Sequence, residues 1–91
     1  SGHPNRVTVG AVLNDSAAAG VSLQPGDQIL SYDGQRIFAP TELREATSVG
    51  QFGDGVSIDV MRDGRRMRLV VPRGPLGIRV GYASEEPDRV R

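Results

Sequence analysis

The chain has 91 residues, in which 11 arginines and no lysine balance 11 acidic side chains, so its formal net charge is zero. It contains no cysteine, which excludes a disulfide framework, a thiolate nucleophile and a cysteine-ligated zinc site. With 37% hydrophobic residues, and only two tyrosines and two phenylalanines, it can build one modest core and is expected to form one small soluble domain.

The predicted domain occupies residues 6–82. Residues 1–5 are typical of a tag remnant or a disordered end, and residues 83–91 are expected to form a charged, disordered tail. Apolar residues that alternate with polar ones predict strands, whereas apolar residues three or four positions apart predict helices. In chain order, the predicted elements are a strand over 6–13, a short helix over 17–20, strands over 28–32 and 35–38, a longer helix over 40–50, strands over 56–61 and 67–71, and a final strand over 78–80.

Two Asp-Gly pairs support the strand pairing in this order. Asp33-Gly34 and Asp63-Gly64 each separate two predicted strands, and this dipeptide is typical of the tight turns in β-hairpins. About six short, mostly antiparallel strands with one short and one longer helix predict the α+β class. The expected architecture is a small, partly open antiparallel barrel or sandwich capped by the helices.

The sequence offers no recognisable catalytic group. The one imidazole, His3, lies in the terminal segment, so a nucleophilic serine would have no base and a zinc ion no second nitrogen ligand. Glu42 and Glu45 on the longer helix, and Asp59 in a strand, are expected to be solvated. The glycine-rich segment 50–55 follows a helix and precedes a strand, the reverse of a dinucleotide-binding loop. No catalytic residue, metal or cofactor is therefore predicted.

The segment Gly74-Pro75-Leu76-Gly77 is the most informative feature of the chain. It lies between two predicted strands, and its glycines allow neighbouring N–H groups to converge on one carboxylate. The strand that follows would then offer an edge to an incoming peptide, with the longer helix as the opposite wall. A plain tight turn is the alternative that the residues leave open.

Several motifs carry a family resemblance. They are Ala17-Ala18-Ala19-Gly20-Val21, Leu23-Gln24-Pro25-Gly26-Asp27-Gln28-Ile29, Asp33-Gly34 and the strand and turn Val56-Ser57-Ile58-Asp59-Val60-Met61-Arg62-Asp63-Gly64. With these motifs, residues 6–82 resemble a PDZ domain of the bacterial, circularly permuted kind. In this arrangement the carboxylate-binding loop and the strand after it come last, and Pro75-Leu76-Gly77-Ile78 is similar to the Gly-Leu-Gly-Phe loop of the family.

The resemblance also implies a set of binding residues. The predicted peptide-binding residues are Leu76, Gly77, Ile78, Arg79, Val80, Pro40, Arg44 and Thr47. The first three would cradle a carboxylate, residues 78–80 would pair with the ligand strand, and the helix residues would contact ligand side chains. This last assignment assumes that Leu43, Ala46 and Val49 face the core.

Three functions remain open from the sequence. The resemblance implies first a non-catalytic module that binds peptide or protein C-termini by β-strand addition. The alternatives are a domain that regulates substrate access in a larger bacterial protease, and a structural scaffold of an envelope or secretion complex with an unused groove. The resemblance implies a location in the bacterial periplasm or cell envelope, and it leaves open a parent protein that is anchored in a membrane.

Other partners are less compatible with the composition. Residues 62–79 hold six arginines against one aspartate, and those around the second hairpin would suit lipid headgroups or nucleic acid: Arg62, Arg65, Arg66 and Arg68. The zero net charge and the lack of interleaved aromatic residues argue against nucleic acid. No apolar run approaches the roughly 18 residues of a membrane span, so direct insertion is not expected.

Overall fold

The computed structural model of the protein describes residues 7–81, so the predicted terminal segments 1–5 and 83–91 lie outside the described residues. Six strands and two helices follow one another in the predicted order. Their bounds are β1 (Thr8–Val12), α1 (Ala17–Gly20), β2 (Gln28–Tyr32), β3 (Gln35–Arg36), α2 (Pro40–Thr47), β4 (Gly55–Arg62), β5 (Arg65–Pro72) and β6 (Ile78–Gly81).

The strands form one antiparallel sheet in the order β5-β4-β2-β1-β6, and β3 pairs with β2 beside this path. The last strand within residues 7–81 therefore lies next to the first, as expected for the permuted order. The sheet is not closed, because β5 and β6 lie at its two opposite edges. The predicted α+β class, with six strands in a partly open arrangement, is confirmed.

Both Asp-Gly pairs form the predicted tight turns. Asp33 and Gly34 have φ angles of 53° and 82°, and Asp63 and Gly64 have 51° and 78°. Positive φ at both central residues is what a type I′ hairpin turn requires. The second turn sets the register of β4 and β5, which pair at eight positions from Gly55↔Pro72 to Arg62↔Arg65.

One apolar core lies between the sheet and the helices. Val9, Ile29, Ile58 and Val60 project from the strands and are almost fully buried. The helices contribute Ala18 from α1 and Leu43 and Ala46 from α2. The short chain thus closes a core by covering one face of its sheet. Neither helix of the described chain has the length and apolar character needed to cross a lipid bilayer.

One helix and two strands are shorter than predicted. The longer helix ends at Thr47 instead of Gly50, and Val49 is 60% exposed rather than buried. Ser48 ends the helix, because its N–H and its hydroxyl both donate to the Glu45 carbonyl, at 3.1 and 2.8 Å. The second strand of the first hairpin stops at Arg36, after which Ile37 turns into the core with no exposed surface. The first strand covers Thr8–Val12 rather than 6–13.

Asp59 was expected to be solvated, and this expectation was wrong. Only 8% of the residue is exposed, because Ser31 and Arg68 close over it from the neighbouring strands. The Arg68 Nε donates to Oδ1 at 2.8 Å, and the Ser31 hydroxyl donates to Oδ2 at 3.2 Å. These bonds, chiefly that of Arg68, lower the pKa of the Asp59 carboxyl against the opposing effect of its desolvation.

Asp27 is a second buried carboxylate and fastens the turn before β2 to the end of β4. It is 1% exposed and receives two hydrogen bonds from Arg62, Nε to Oδ1 at 2.8 Å and Nη2 to Oδ2 at 2.7 Å. The Gln24 N–H donates to Oδ2 at 3.0 Å. The Arg62 hydrogen bonds lower the pKa of Asp27 more than burial raises it.

Candidate functional site

The candidate site lies along β6, at one edge of the sheet. On one side β6 pairs with β1, through Val9↔Val80, Ala11↔Arg79 and Val12↔Ile78. On the other side no strand of the described chain is paired with it. An unpaired edge presents a row of N–H and C=O groups to which another extended chain can bind.

Side chains alternate across this edge strand, as the pleat requires. Ile78 and Val80 are partly buried and face the groove between β6 and α2, whereas Arg79 between them is exposed and does not line the groove. Arg79 therefore contributes its backbone to the edge, and its side chain projects elsewhere.

The loop before β6 is held by its carbonyl groups. The Leu76 carbonyl accepts a hydrogen bond from the Ala18 N–H, and the Gly77 carbonyl accepts one from the Leu13 N–H, both at 2.9 Å. Within residues 7–81, the N–H groups of Leu76 and Gly77 donate to no carbonyl or side chain. Pro75 has no N–H group. The loop thus directs its carbonyls toward α1 and β1 and keeps two adjacent donors available.

This loop geometry requires glycine at position 77. Gly77 has a φ angle of 77°, in the left-handed region that favours glycine. An added Cβ would lie 2.3 Å from the Cβ of Ser16, which no real contact allows. Ser16 is itself fixed, since its hydroxyl donates to the Leu13 carbonyl and accepts from the Ala19 N–H, at 2.8 and 3.0 Å.

Helix α2 forms the opposite wall of the groove. Pro40 occupies its first turn, where a missing N–H costs no hydrogen bond. The Glu42 carboxylate accepts from the N–H groups of Phe38 and Ala39, at 2.7 and 3.2 Å, and so caps the helix. Leu43 packs in the core and also lines the groove, so its side chain belongs to both.

Between these walls lies a groove of about 260 Å³. Its lining residues are Pro40, Leu43, Arg44, Thr47, Pro75, Leu76, Gly77, Ile78 and Val80. The structure thus brings together seven of the eight residues predicted for peptide binding, and leaves the side chain of Arg79 outside. Sequence reasoning assigned Leu43 to the core alone and gave Pro75 no contact role.

The groove is largely apolar, with one charge at its rim. Arg44 is the single charged residue among those that line it, and it is exposed. A groove lined by a cation and by two residues with available N–H donors is suited to a carboxylate. No three His, Cys, Asp or Glu side chains come together as a metal site within residues 7–81.

Comparison with known proteins gives the family of this chain. A family model described as "PDZ domain" matches residues 1–72. The chain belongs to the PDZ domain family. The match ends before the loop at 74–77 and β6, so the structure, rather than the family match, locates these parts of the domain.

The curated relatives are proteases of which this PDZ domain covers a small part. A protein named "Probable periplasmic serine endoprotease DegP-like" from Pseudomonas savastanoi pv. phaseolicola is 38% identical over 73 residues, 80% of this chain but 15% of the relative. "Magnetosome formation protease MamE" of Paramagnetospirillum magneticum is 31% identical over 72 residues, 79% of this chain and 10% of that protein.

Solved structures agree with the PDZ fold. The HtrA-type protease AlgW, determined with a decapeptide, matches with a TM-score of 0.71 and 29% identity, over 88% of this chain and 24% of that one. The PDZ domain of an SdrC-like protein from Listeria monocytogenes matches with a TM-score of 0.74 over 88% of this chain and 92% of that one. At 22% identity, the second structure supports the fold alone.

Proposed function

We propose that this PDZ domain binds the extended C-terminus of a peptide or protein by β-strand addition to β6. The observation that carries the proposal is the position of the unpaired edge directly beside the available N–H groups of Leu76 and Gly77. A ligand strand on this edge would end at the loop, where these donors would receive its terminal carboxylate.

The remaining groove residues would define the ligand side chains. An apolar C-terminal side chain suits the space between Leu43, Leu76 and Ile78. Pro40, Arg44 and Thr47 would contact ligand side chains along α2. The Arg79 side chain would contribute little, whereas its backbone belongs to the pairing edge.

Amide-resolved NMR titration with a pool of free-acid C-terminal peptides, each matched to its amidated form, tests the proposal. We expect the amides of residues 76–80 and 44–47 to shift with the free acids and distinctly less with the amides. Equal binding of both forms would refute the carboxylate site. Peptides N-methylated at alternate positions test strand addition, since only one of the two alternating sets should lose affinity.

A role within a larger periplasmic protease is the second candidate, and the protease relatives favour it. Those relatives are DegP-like serine endoproteases named as periplasmic, and the AlgW structure holds a decapeptide. The chain spans about 15% of such a relative, and the domain would then regulate substrate access without performing the chemistry itself. Fusion of this domain in place of the corresponding domain of such a protease should preserve peptide-dependent activation or substrate choice. Activity without peptide dependence would argue for a scaffold role.

A further inference from the structure

Arg73 is a buried arginine at the start of the segment that joins β5 to the groove loop. Only 8% of the residue is exposed. Its backbone is paired with the chain that follows α2, because its N–H donates to the Asp54 carbonyl at 2.7 Å and its carbonyl accepts from the Gly53 N–H at 3.0 Å. The residue therefore has a fixed position immediately before the loop.

The Arg73 guanidinium connects three parts of the domain. Nη1 donates to the Ala46 carbonyl in the last turn of α2 at 2.8 Å. Nη2 donates to the carboxylate of Asp33 in the β2–β3 turn. The guanidinium carbon lies 5.6 Å from the centre of the Tyr32 ring, within the range of a cation–π contact. A planar group with several donors can satisfy these partners simultaneously, which a lysine ammonium cannot do in the same geometry.

The bond to Ala46 matters because of where α2 ends. The last four carbonyls of a helix have no partner within the helix, and a cation near them is favourable. The Thr47 hydroxyl donates to the Arg44 carbonyl, and Ser48 donates to that of Glu45. Arg73 supplies the partner for Ala46, so the groove helix is tied directly to the strand that leads into the groove loop.

The chain around this contact leaves the guanidinium little room. A Cβ at Gly50 would lie 2.7 Å from the Arg73 Nε, so the backbone after α2 passes directly over the side chain. Arg73 does not line the groove, and Asp33 provides the carboxylate that neutralises its charge. Arg73 would therefore affect ligand binding indirectly, through the positions of α2 and of the groove loop.

We infer that Arg73 is the positioning residue of the groove, which sets the spacing between α2 and the loop at residues 74–77. The inference rests on the proposed function, because it concerns the same groove. It extends to Asp33, a half-exposed residue of a surface turn that does not line the groove. Since Asp33 holds the guanidinium from the far side, its loss should weaken peptide binding from a distance.

Affinity and stability measured on the same variants test this inference. A free-acid peptide that binds the wild-type domain is titrated into Arg73→Met, Arg73→Lys and Asp33→Asn, and each variant is also unfolded with denaturant. Val60→Ala is the matched control. Val60 is fully buried in β4, and β2 and β1 separate it from β6. It should reduce stability without altering the groove.

We expect Arg73→Met to weaken binding at least tenfold, Asp33→Asn to weaken it a few fold, and Arg73→Lys to recover part of the loss. Val60→Ala should leave the dissociation constant of its folded fraction within twofold of the wild type. The loss in Arg73→Met should also be the same at low and high salt, since a charge that contacted the ligand directly would be screened.

The outcomes separate the two proposals. If the wild-type domain binds no free-acid peptide, the proposed function fails and the inference fails with it. If it binds, but Arg73→Met and Asp33→Asn change affinity no more than Val60→Ala does, the inference alone is wrong. A loss that disappears at high salt would also refute it, in favour of direct ligand contact. Should Arg73→Met not fold, Arg73→Lys and Asp33→Asn decide the question by the same comparison.

Discussion

The two edges of the sheet differ in ways that explain why only one is a candidate binding site. At one edge, β5 pairs with β4 over eight residues and presents Arg65, Arg66 and Arg68, charges that discourage pairing with another chain. At the other edge, β6 has four residues, two partly buried apolar side chains and a loop with available donors. Exposed charges thus discourage strand addition at the β5 edge, whereas the apolar groove and the available N–H donors favour it at the β6 edge.

The two ion pairs that contain a buried carboxylate follow the same division. Arg62 with Asp27, and Arg68 with Asp59, both involve β4 or β5 and consolidate the hairpin side of the sheet. The β6 side is held by backbone hydrogen bonds from α1 and β1 to the loop, and by the buried Arg73, which pairs with Asp33 and donates to the last turn of α2. Changes on the hairpin side should therefore alter stability alone, whereas changes on the groove side should also alter binding.

Alanine substitutions at two glycines with nearly equal φ angles give the largest expected effect. Gly64 in the β4–β5 turn and Gly77 in the groove loop have φ angles of 78° and 77°, but only at Gly77 does an added Cβ meet another residue within 4 Å. Gly64→Ala should cost about 1–2 kcal/mol from the positive φ alone and leave binding unchanged. Gly77→Ala should cost more, and should weaken binding of a free-acid peptide more than tenfold.

Denaturant unfolding and peptide titration of both glycine variants provide the measurement. Equal effects of the two substitutions on affinity would remove the distinction between the edges, because the backbone strain is common to both and the contact with Ser16 is not.

Asp27→Asn tests the hairpin side. Removal of the buried partner of Arg62 should cost about 3 kcal/mol at neutral pH, while the folded fraction keeps its peptide affinity. The native pKa of Asp27 lies below its ordinary value of about 3.9, chiefly because Arg62 donates to the carboxylate. Its contribution is therefore fully present above the unfolded pKa and is lost as the pH falls through the native one.

The pH dependence can be measured by unfolding the wild type and Asp27→Asn from pH 7 downward. The difference in free energy of unfolding should be constant at neutral pH and shrink as the pH falls below about 4. A difference that grew in acid would contradict the lowered pKa.

A smaller effect is expected at Asp59. Its partner Arg68 has a side chain that is 70% exposed, so water can replace much of the interaction when the pair is broken. Asp59→Asn should therefore cost about 1 kcal/mol, clearly less than Asp27→Asn. The ranking can be checked from the denaturant midpoints of the two variants, provided that the free energy of unfolding falls with the same slope against denaturant concentration in both. The reverse order would overturn it.

The smallest expected effect concerns the charge at the groove rim. Arg44→Glu should weaken a free-acid peptide about threefold at low salt, since an exposed charge interaction is worth only about 0.2–1 kcal/mol. Arg65→Glu, at the β5 edge, makes the same change in net charge away from the groove and is the control. The two variants are compared by titration at two salt concentrations. Equal weakening by both would mean that net charge, rather than the groove, is responsible.

Local sequence signals determined much of the fold. The Asp-Gly pairs define the turns because their backbone conformation is intrinsic to those residues, and the alternation of Val56, Ile58 and Val60 predicts the buried face of β4. Helical spacing likewise put Pro40, Arg44 and Thr47 on one face of α2, and the structure has them along one groove.

Only the tertiary structure decided the burial of the charged residues and the end of the groove helix. Asp27, Asp59 and Arg73 become buried because partners 9 to 40 positions away in the chain satisfy them, as Arg62, Arg68 and Asp33 do here. Helix α2 ends at Thr47, with its last turn bound by Ser48 and Arg73, although apolar spacing continues to Val49. The periodicity of apolar residues indicates on which face of its own helix or strand a side chain lies. Burial of a charged side chain depends instead on partners that only the folded chain brings together.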